Sequence, residues 1–236
     1  MELHWELYPQ YYSTQTLLSE LEDPFYDHLD DVPNKDIIDV GCGQRSLILK
    51  YAPLGSRCTA IDVNKEQLNA LKNRLESLSV DAAQRVDLIS GVFPIVRPGR
   101  VDHGLAIISD IFHFMDESEQ REALDVVKRF LSPRALLYIK AHSTKHIASS
   151  GIDSRIKRCL SMPGMQELAD TSGFDCLRIE EVDERRTAND ESFIRAWRRR
   201  VMEETDGSPS QVEEEIEDYL ALGPLITTWG LFRNRS

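Results

Sequence analysis

Short apolar runs alternate with amphipathic stretches along the chain from about residue 36 to the C-terminus. Runs rich in β-branched residues are predicted strands, whereas leucines that recur every three or four residues, as in Leu68, Leu71 and Leu75, predict helices. The predicted strands lie at 36–40, 58–62, 86–93, 101–108, 176–182 and 227–233, and the stretch 131–140 is predicted to hold a helix end, a turn and a further buried strand. The helices predicted between them lie at 47–51, 64–78, 118–130 and 161–172.

The first predicted strand runs directly into a glycine turn. Asp39-Val40-Gly41-Cys42-Gly43 ends the apolar run and precedes a helix-compatible stretch. Glycines let the backbone turn sharply and let a ligand approach, and the helix that follows offers free N–H groups. Asp62 ends the second predicted strand, where a carboxylate can accept hydrogen bonds from ribose hydroxyls. The pattern therefore predicts a nucleoside-binding βαβ unit.

The residues around the turn favour one kind of nucleoside ligand. A carboxylate at Asp39 would repel a pyrophosphate but suits a cationic or zwitterionic ligand. Dinucleotide sites also use a third glycine, and here Arg45 and Ser46 occupy the candidate positions. Asp39-Val40-Gly41-Cys42-Gly43 together with Ile61-Asp62 resembles the class I S-adenosylmethionine-dependent methyltransferases of the small-molecule type.

The resemblance implies an α/β fold with a doubly wound, mostly parallel, seven-stranded sheet, which is the Rossmann-like methyltransferase fold. We expect a single domain over residues 1–236. Within it, residues 1–34 would form an N-terminal helical lid and 35–184 the nucleoside-binding core. Residues 185–222 would form a helical cap inserted before the last strand, at 223–236.

The resemblance also implies S-adenosyl-L-methionine as the cofactor. Asp39 would orient its ammonium group, the glycine turn would contact its amino-acid end, and Asp62 would hold the ribose. Towards the end of the predicted third strand the family often has an acidic residue after a glycine, but here Gly91 is followed by Val92. The predicted cofactor-binding residues are Asp39, Gly41, Cys42, Gly43, Asp62, Val63, Gly91, Val92 and Ser109.

Candidate catalytic residues follow the fourth and fifth predicted strands, because doubly wound sheets bind ligands at the carboxyl ends of their strands. Asp110 and His113 lie in a loop that resembles the family's loop at this place, and His142 follows the next strand. His113 could act as a general base, or its flanking phenylalanines could indicate a structural histidine. Tyr11, in the predicted lid, could contact the methylsulfonium through a cation–π interaction.

Composition adds limits to this interpretation. The net charge of −12 argues against broad nucleic-acid binding, and no apolar run reaches the roughly 18 residues that span a membrane. The acidic, aromatic N-terminus does not resemble a signal peptide, so we expect a cytoplasmic protein. The four cysteines show no metal-ligand spacing, which predicts reduced thiols and no metal site.

Several functions remain compatible with the sequence. The leading hypothesis is methyl transfer to a small-molecule acceptor, with no nucleic-acid or membrane partner and the oligomeric state left open. Arginines at 195 and 198–200 keep an RNA- or protein-directed methyltransferase possible. The substituted glycines permit a non-catalytic S-adenosylmethionine-binding protein. A dinucleotide oxidoreductase fits less well, because of Asp39.

Overall fold

The computed structural model describes residues 36–43, 46–146, 155–183, 210 and 226–236. The helices expected in the N-terminal lid and in the cap between 185 and 222 lie outside these residues, apart from Ser210. The division of the chain into lid, core and cap therefore stays a prediction.

A seven-stranded sheet forms the centre of the described chain. Its strand order is β3-β2-β1-β4-β5-β7-β6, and β7 runs antiparallel to both β5 and β6 while the other neighbouring pairs are parallel. This arrangement confirms the predicted doubly wound, mostly parallel α/β fold. The strands are β1 Ile37–Val40, β2 Cys58–Asp62, β3 Val86–Ser90, β4 His103–Ser109, β5 Leu131–His142, β6 Phe174–Asp183 and β7 Ile226–Asn234.

Helices connect the parallel strands. The described α-helices are α1 Ile48–Tyr51, α2 Lys65–Leu78, α3 Val80–Gln84, α4 Glu117–Lys128 and α5 Met162–Thr171, and short 3₁₀ helices occupy Ala52–Leu54 and Phe112–Phe114. In this part of the chain, no helix has both the length and the apolar character needed to cross a membrane.

Side-chain caps fix where the longer helices begin. Asn64 accepts hydrogen bonds from the backbone N–H groups of Glu66 and Gln67 and is the N-cap of α2. Asp116 forms a reciprocal capping box with Glu119 at the start of α4. Such caps satisfy N–H groups that a helix leaves unpaired and contribute about 1 kcal/mol each.

The core has two halves, one on each face of the sheet. Alternate residues of β1 enter different halves: Ile38 and Val40 pack into one and Ile37 into the other. All four side chains of β1 are buried, as expected for a central parallel strand. Because β1 lies between β2 and β4, its carboxyl end opens at the point where the strand order reverses. Ligands of doubly wound folds bind at this crevice.

Candidate functional site

The glycine turn after β1 requires glycine at two positions. Gly41 and Gly43 both have left-handed backbone angles, with φ of +76° and +54°. A Cβ atom at Gly41 would lie 2.3 Å from the Cγ2 atom of Ile111, so the loop after β4 packs directly on this turn. A Cβ atom at Gly43 would meet no atom of the described residues within 4 Å. The turn is thus closed on the side of β4 and open at Gly43, where a ligand can approach.

Asp62 joins the glycine turn to the end of β2. One of its carboxylate oxygens accepts the Gly43 N–H at 2.9 Å and the other accepts the Asn64 N–H at 2.8 Å. Burial raises the pKa of Asp62, and these backbone hydrogen bonds oppose that effect. Each carboxylate oxygen can accept a second hydrogen bond. The side chain is therefore held rigidly and can still receive two neighbouring hydroxyl groups.

Asp39 is a buried carboxyl group beneath the same turn. It is 4% exposed and accepts a hydrogen bond from the hydroxyl of Ser46. Ser46 also accepts the N–H of Ile48, the first residue of α1. Burial raises the pKa of Asp39 to about 7; the Ser46 hydrogen bond lowers it and the nearby charge of Asp62 raises it further. A cationic group bound at Asp39 would favour its ionised form.

Two further predicted cofactor-binding residues, Val63 and Gly91, lie beside Asp62. Gly91 follows β3 and donates its N–H to the carbonyl of Asp62 at 2.9 Å. Val92 is 54% exposed, whereas Phe93 is buried in the core. Val63 is half-buried next to Asp62.

Cys42, the remaining residue of the turn, is not a nucleophile candidate. Its thiol is buried, and burial raises its pKa well above the ordinary value. Its N–H, like that of Gly41, donates to the carbonyl of Ile61. The described cysteines are all free thiols.

Asp110 lies at the carboxyl end of β4 in a left-handed conformation with φ of +58°. One carboxylate oxygen, Oδ2, accepts the Ser109 hydroxyl at 3.0 Å and lies 3.5 Å from the Lys140 ammonium nitrogen. Lys140 is fully buried in β5, and its ammonium group lies 5.3 Å from the centre of the Trp229 ring. Sequence reasoning missed Lys140, although a lysine inside the apolar run Leu136–Ala141 was a usable signal.

The two predicted histidines belong to a stack of three. The His113 ring lies 3.7 Å from that of His142, which lies 3.9 Å from that of His146, and neighbouring rings are nearly parallel. All three side chains are buried. The stack connects the loop after β4 to the end of β5, because His113 also accepts the backbone N–H of His142 at 3.5 Å.

The surroundings of the stack lower the pKa of two of these histidines, His113 and His146. Burial, followed by the neighbouring His142 and His146, lowers the pKa of His113 well below its ordinary value. Burial likewise lowers the pKa of His146 to about 3. A histidine with a lowered pKa is a weak base, so its acid–base role stays a prediction.

The structure thus brings most of the predicted site residues to one edge of the sheet. The cofactor candidates lie at the ends of β1, β2 and β3, with Ser109 at the end of β4, and the acceptor candidates lie at the ends of β4 and β5. Tyr11 lies outside the described residues. No group of three or more histidine, cysteine, aspartate or glutamate side chains in the described chain could hold a metal ion.

Comparison with known proteins supports the same family. Residues 38–137 match the family described as "Methyltransferase domain". A curated relative is the "probable cobalt-precorrin-6B C(15)-methyltransferase (decarboxylating)" of Methanobrevibacter smithii, 24% identical over 111 residues. That match covers 46% of this chain and 54% of the relative, so the chain matches about half of that protein's length.

Solved structures share the fold over nearly the whole chain. Phosphoethanolamine N-methyltransferase 2 of Haemonchus contortus, complexed with phosphomonomethylethanolamine and S-adenosylhomocysteine, has a TM-score of 0.65 and 14% identity, covering 97% of this chain and 58% of that one. The N-methyltransferase NodS of Bradyrhizobium japonicum with S-adenosylhomocysteine scores 0.58 at 14% identity, covering 98% and 92%. Geranyl diphosphate C-methyltransferase of Streptomyces coelicolor scores 0.59 at 14% identity, covering 92% and 78%.

Proposed function

We propose that the chain is a class I methyltransferase that transfers a methyl group from S-adenosylmethionine to a small-molecule acceptor. The match of residues 38–137 to the methyltransferase-domain family supports this proposal. The observation that carries the proposal is the fixed Asp62 carboxylate beside an open glycine turn, with Asp39 buried beneath it. The matched neighbours with small-molecule substrates in their names support the acceptor class.

The charged and hydrogen-bonding groups of the site fit the ribose and the amino-acid end of the proposed cofactor. Asp62 offers two acceptor oxygens to a pair of ribose hydroxyls, and the open side of Gly43 leaves room for the backbone of the ligand. Asp39 would balance the ammonium group of the amino-acid end. The residues proposed to contact the cofactor are Asp39, Gly41, Cys42, Gly43, Asp62, Val63, Gly91, Val92 and Ser109.

The cofactor supplies an activated methyl group, so the protein's own contribution is chiefly position. Holding an acceptor in line with that group can provide much of the acceleration. Asp110, at the end of β4, is proposed to face the acceptor. His113 and His142 are proposed to fix the loop and strand on which Asp110 depends, with His113 as the second candidate for a base. Tyr11, in the predicted lid, is proposed to contact the methylsulfonium of the cofactor through a cation–π interaction.

Calorimetric titration with S-adenosylmethionine, S-adenosylhomocysteine and NADH tests the cofactor assignment. We expect micromolar binding of both sulfur nucleosides by the wild type and by Asp87→Ala, an exposed carboxylate on the neighbouring strand β3. Asp62→Ala should lose at least about 10-fold in affinity, since it removes charge-assisted hydrogen bonds. Binding of NADH instead, or equal binding by Asp62→Ala, would refute the assignment.

The same preparation separates the remaining functions. Bound S-adenosylmethionine with no transfer to any acceptor would favour a non-catalytic binding protein. Transfer to RNA with a steep salt dependence would favour the RNA-directed alternative, because phosphate contacts release counterions.

A further inference from the structure

Asp110 presents one carboxylate oxygen to a ligand while the other is held by the protein. Oδ2 receives the Ser109 hydroxyl and lies beside the Lys140 ammonium group. Oδ1 is buried and receives no hydrogen bond from any residue of the described chain. A buried acceptor left unsatisfied costs about 1–3 kcal/mol. Such an oxygen next to a ligand crevice is suited to a donor that arrives with the ligand.

The backbone at Asp110 supports a functional role. A left-handed conformation costs a residue other than glycine about 1–2 kcal/mol. The next residue, Ile111, packs on Gly41, which fixes this loop against the proposed cofactor turn. Asp110 also donates its backbone N–H to the carbonyl of Lys140 at 3.0 Å. Strained residues held by several contacts cluster at binding and catalytic sites.

Charge limits what Oδ1 can bind. The Asp110 carboxylate and the Lys140 ammonium group together carry no net charge, and both are largely removed from water. A cationic alkylamine would gain little from such a pair and would approach a like charge. A neutral hydroxyl group would donate its hydrogen bond without adding charge to the buried site.

From this arrangement we propose that Asp110 Oδ1 binds the hydroxyl group of the methyl acceptor, and that Lys140 is the positioning residue that holds Asp110. This inference rests on the proposed methyl transfer. The hydroxyl oxygen forms the new bond to the methyl carbon as the carbon–sulfur bond breaks and its electron pair stays on sulfur. The hydroxyl proton passes to Asp110 Oδ1 and then to solvent, so the products are a methyl ether, the thioether and one proton.

The experiment uses the full chain with S-adenosylmethionine and matched alcohol and amine acceptors of the same carbon skeleton. The panel includes cyclohexanol with cyclohexylamine, benzyl alcohol with benzylamine, and 2-phenylethanol with 2-phenylethylamine. Release of S-adenosylhomocysteine is measured together with cofactor affinity. We expect transfer to the alcohol members and none to their amine partners.

Variants then test the two residues. Asp110→Asn and Lys140→Met should each lower kcat/KM for the alcohol by about 100-fold. The double variant should have the same kcat/KM as Asp110→Asn, because Lys140 acts through Asp110. Cofactor affinity should not change in any of them. Lys140→Gln replaces Lys140→Met if the latter does not fold. Lys72→Met, which removes an exposed lysine of α2, is the control.

Three outcomes overturn the proposal. They are transfer to amines alone, no transfer to any alcohol by protein that binds S-adenosylmethionine, and losses that multiply in the double variant. Absence of cofactor binding by the wild type would refute the proposed function itself, and the calorimetric titration distinguishes that failure from the other three.

Discussion

Asparagine in place of Asp39 would keep the shape of the side chain and abolish its ionisation. Asp39 is buried beneath the glycine turn and bonded to Ser46, and its pKa is raised from an ordinary 3.8 to about 7. In the folded protein the ionised form is therefore disfavoured. We expect Asp39→Asn to stabilise the free protein at alkaline pH while it weakens cofactor binding.

The size and sign of this effect follow from the two pKa values of Asp39. Between pH 3.8 and about 7 the folded state keeps a proton that the unfolded state releases, so the contribution of Asp39 to stability falls as the pH rises. A span of roughly three pH units corresponds to about 4 kcal/mol. About 3 kcal/mol of this should be lost between pH 5 and pH 8.

Urea unfolding at the two pH values measures the effect. The stability of Asp39→Asn relative to the wild type should increase by about 3 kcal/mol from pH 5 to pH 8. Asp87→Asn, an exposed carboxylate on β3, should show no such change. A relative stability of Asp39→Asn that is the same at both pH values would refute the argument that Asp39 is held protonated by burial.

Other parts of the fold give further predictions. Asp116→Ala removes the cap of α4 and should lower the free energy of unfolding, measured in urea, by about 1 kcal/mol. The control Asp125→Ala, on the exposed face of α4, should change it by less than about 0.5 kcal/mol. Equal effects of the two substitutions would contradict this prediction. Gly41→Ala combines a left-handed φ with a collision against Ile111, and should lower the same free energy by about 2 kcal/mol or more. Arg134→Gly should raise the melting temperature, since Arg134 has a φ of +63° that glycine adopts without strain; a lower melting temperature would refute this.

The sequence predicted the sheet well because its central strands are buried on both faces. β1 and β2 are short apolar runs that end in an acidic residue or a glycine turn, and both signals are local. In contrast, α3 was missed, since it has only five residues and begins with the exposed Val80.

The parts of the site that depend on contacts between distant segments could not be predicted. Ser46 was noted in the sequence only because it occupies a candidate position of a missing glycine, whereas the fold makes its hydroxyl a donor to Asp39. The pairing of Asp110 with Lys140 requires β4 and β5 to be neighbours. No pattern in the sequence specifies that pairing.

Arg134 has a backbone conformation that its sequence did not indicate. It lies inside β5 and has a positive φ, next to the irregular register between β4 and β5. Glycine adopts such a φ without strain, whereas this chain carries arginine at the position.

A crystal structure of the chain with S-adenosylhomocysteine tests the central claim most directly. We predict that the ribose hydroxyls will donate to the two oxygens of Asp62, that the ligand will pass over Gly43, and that its ammonium group will lie near Asp39. A ligand bound at another edge of the sheet, or one whose ribose does not contact Asp62, would contradict the account.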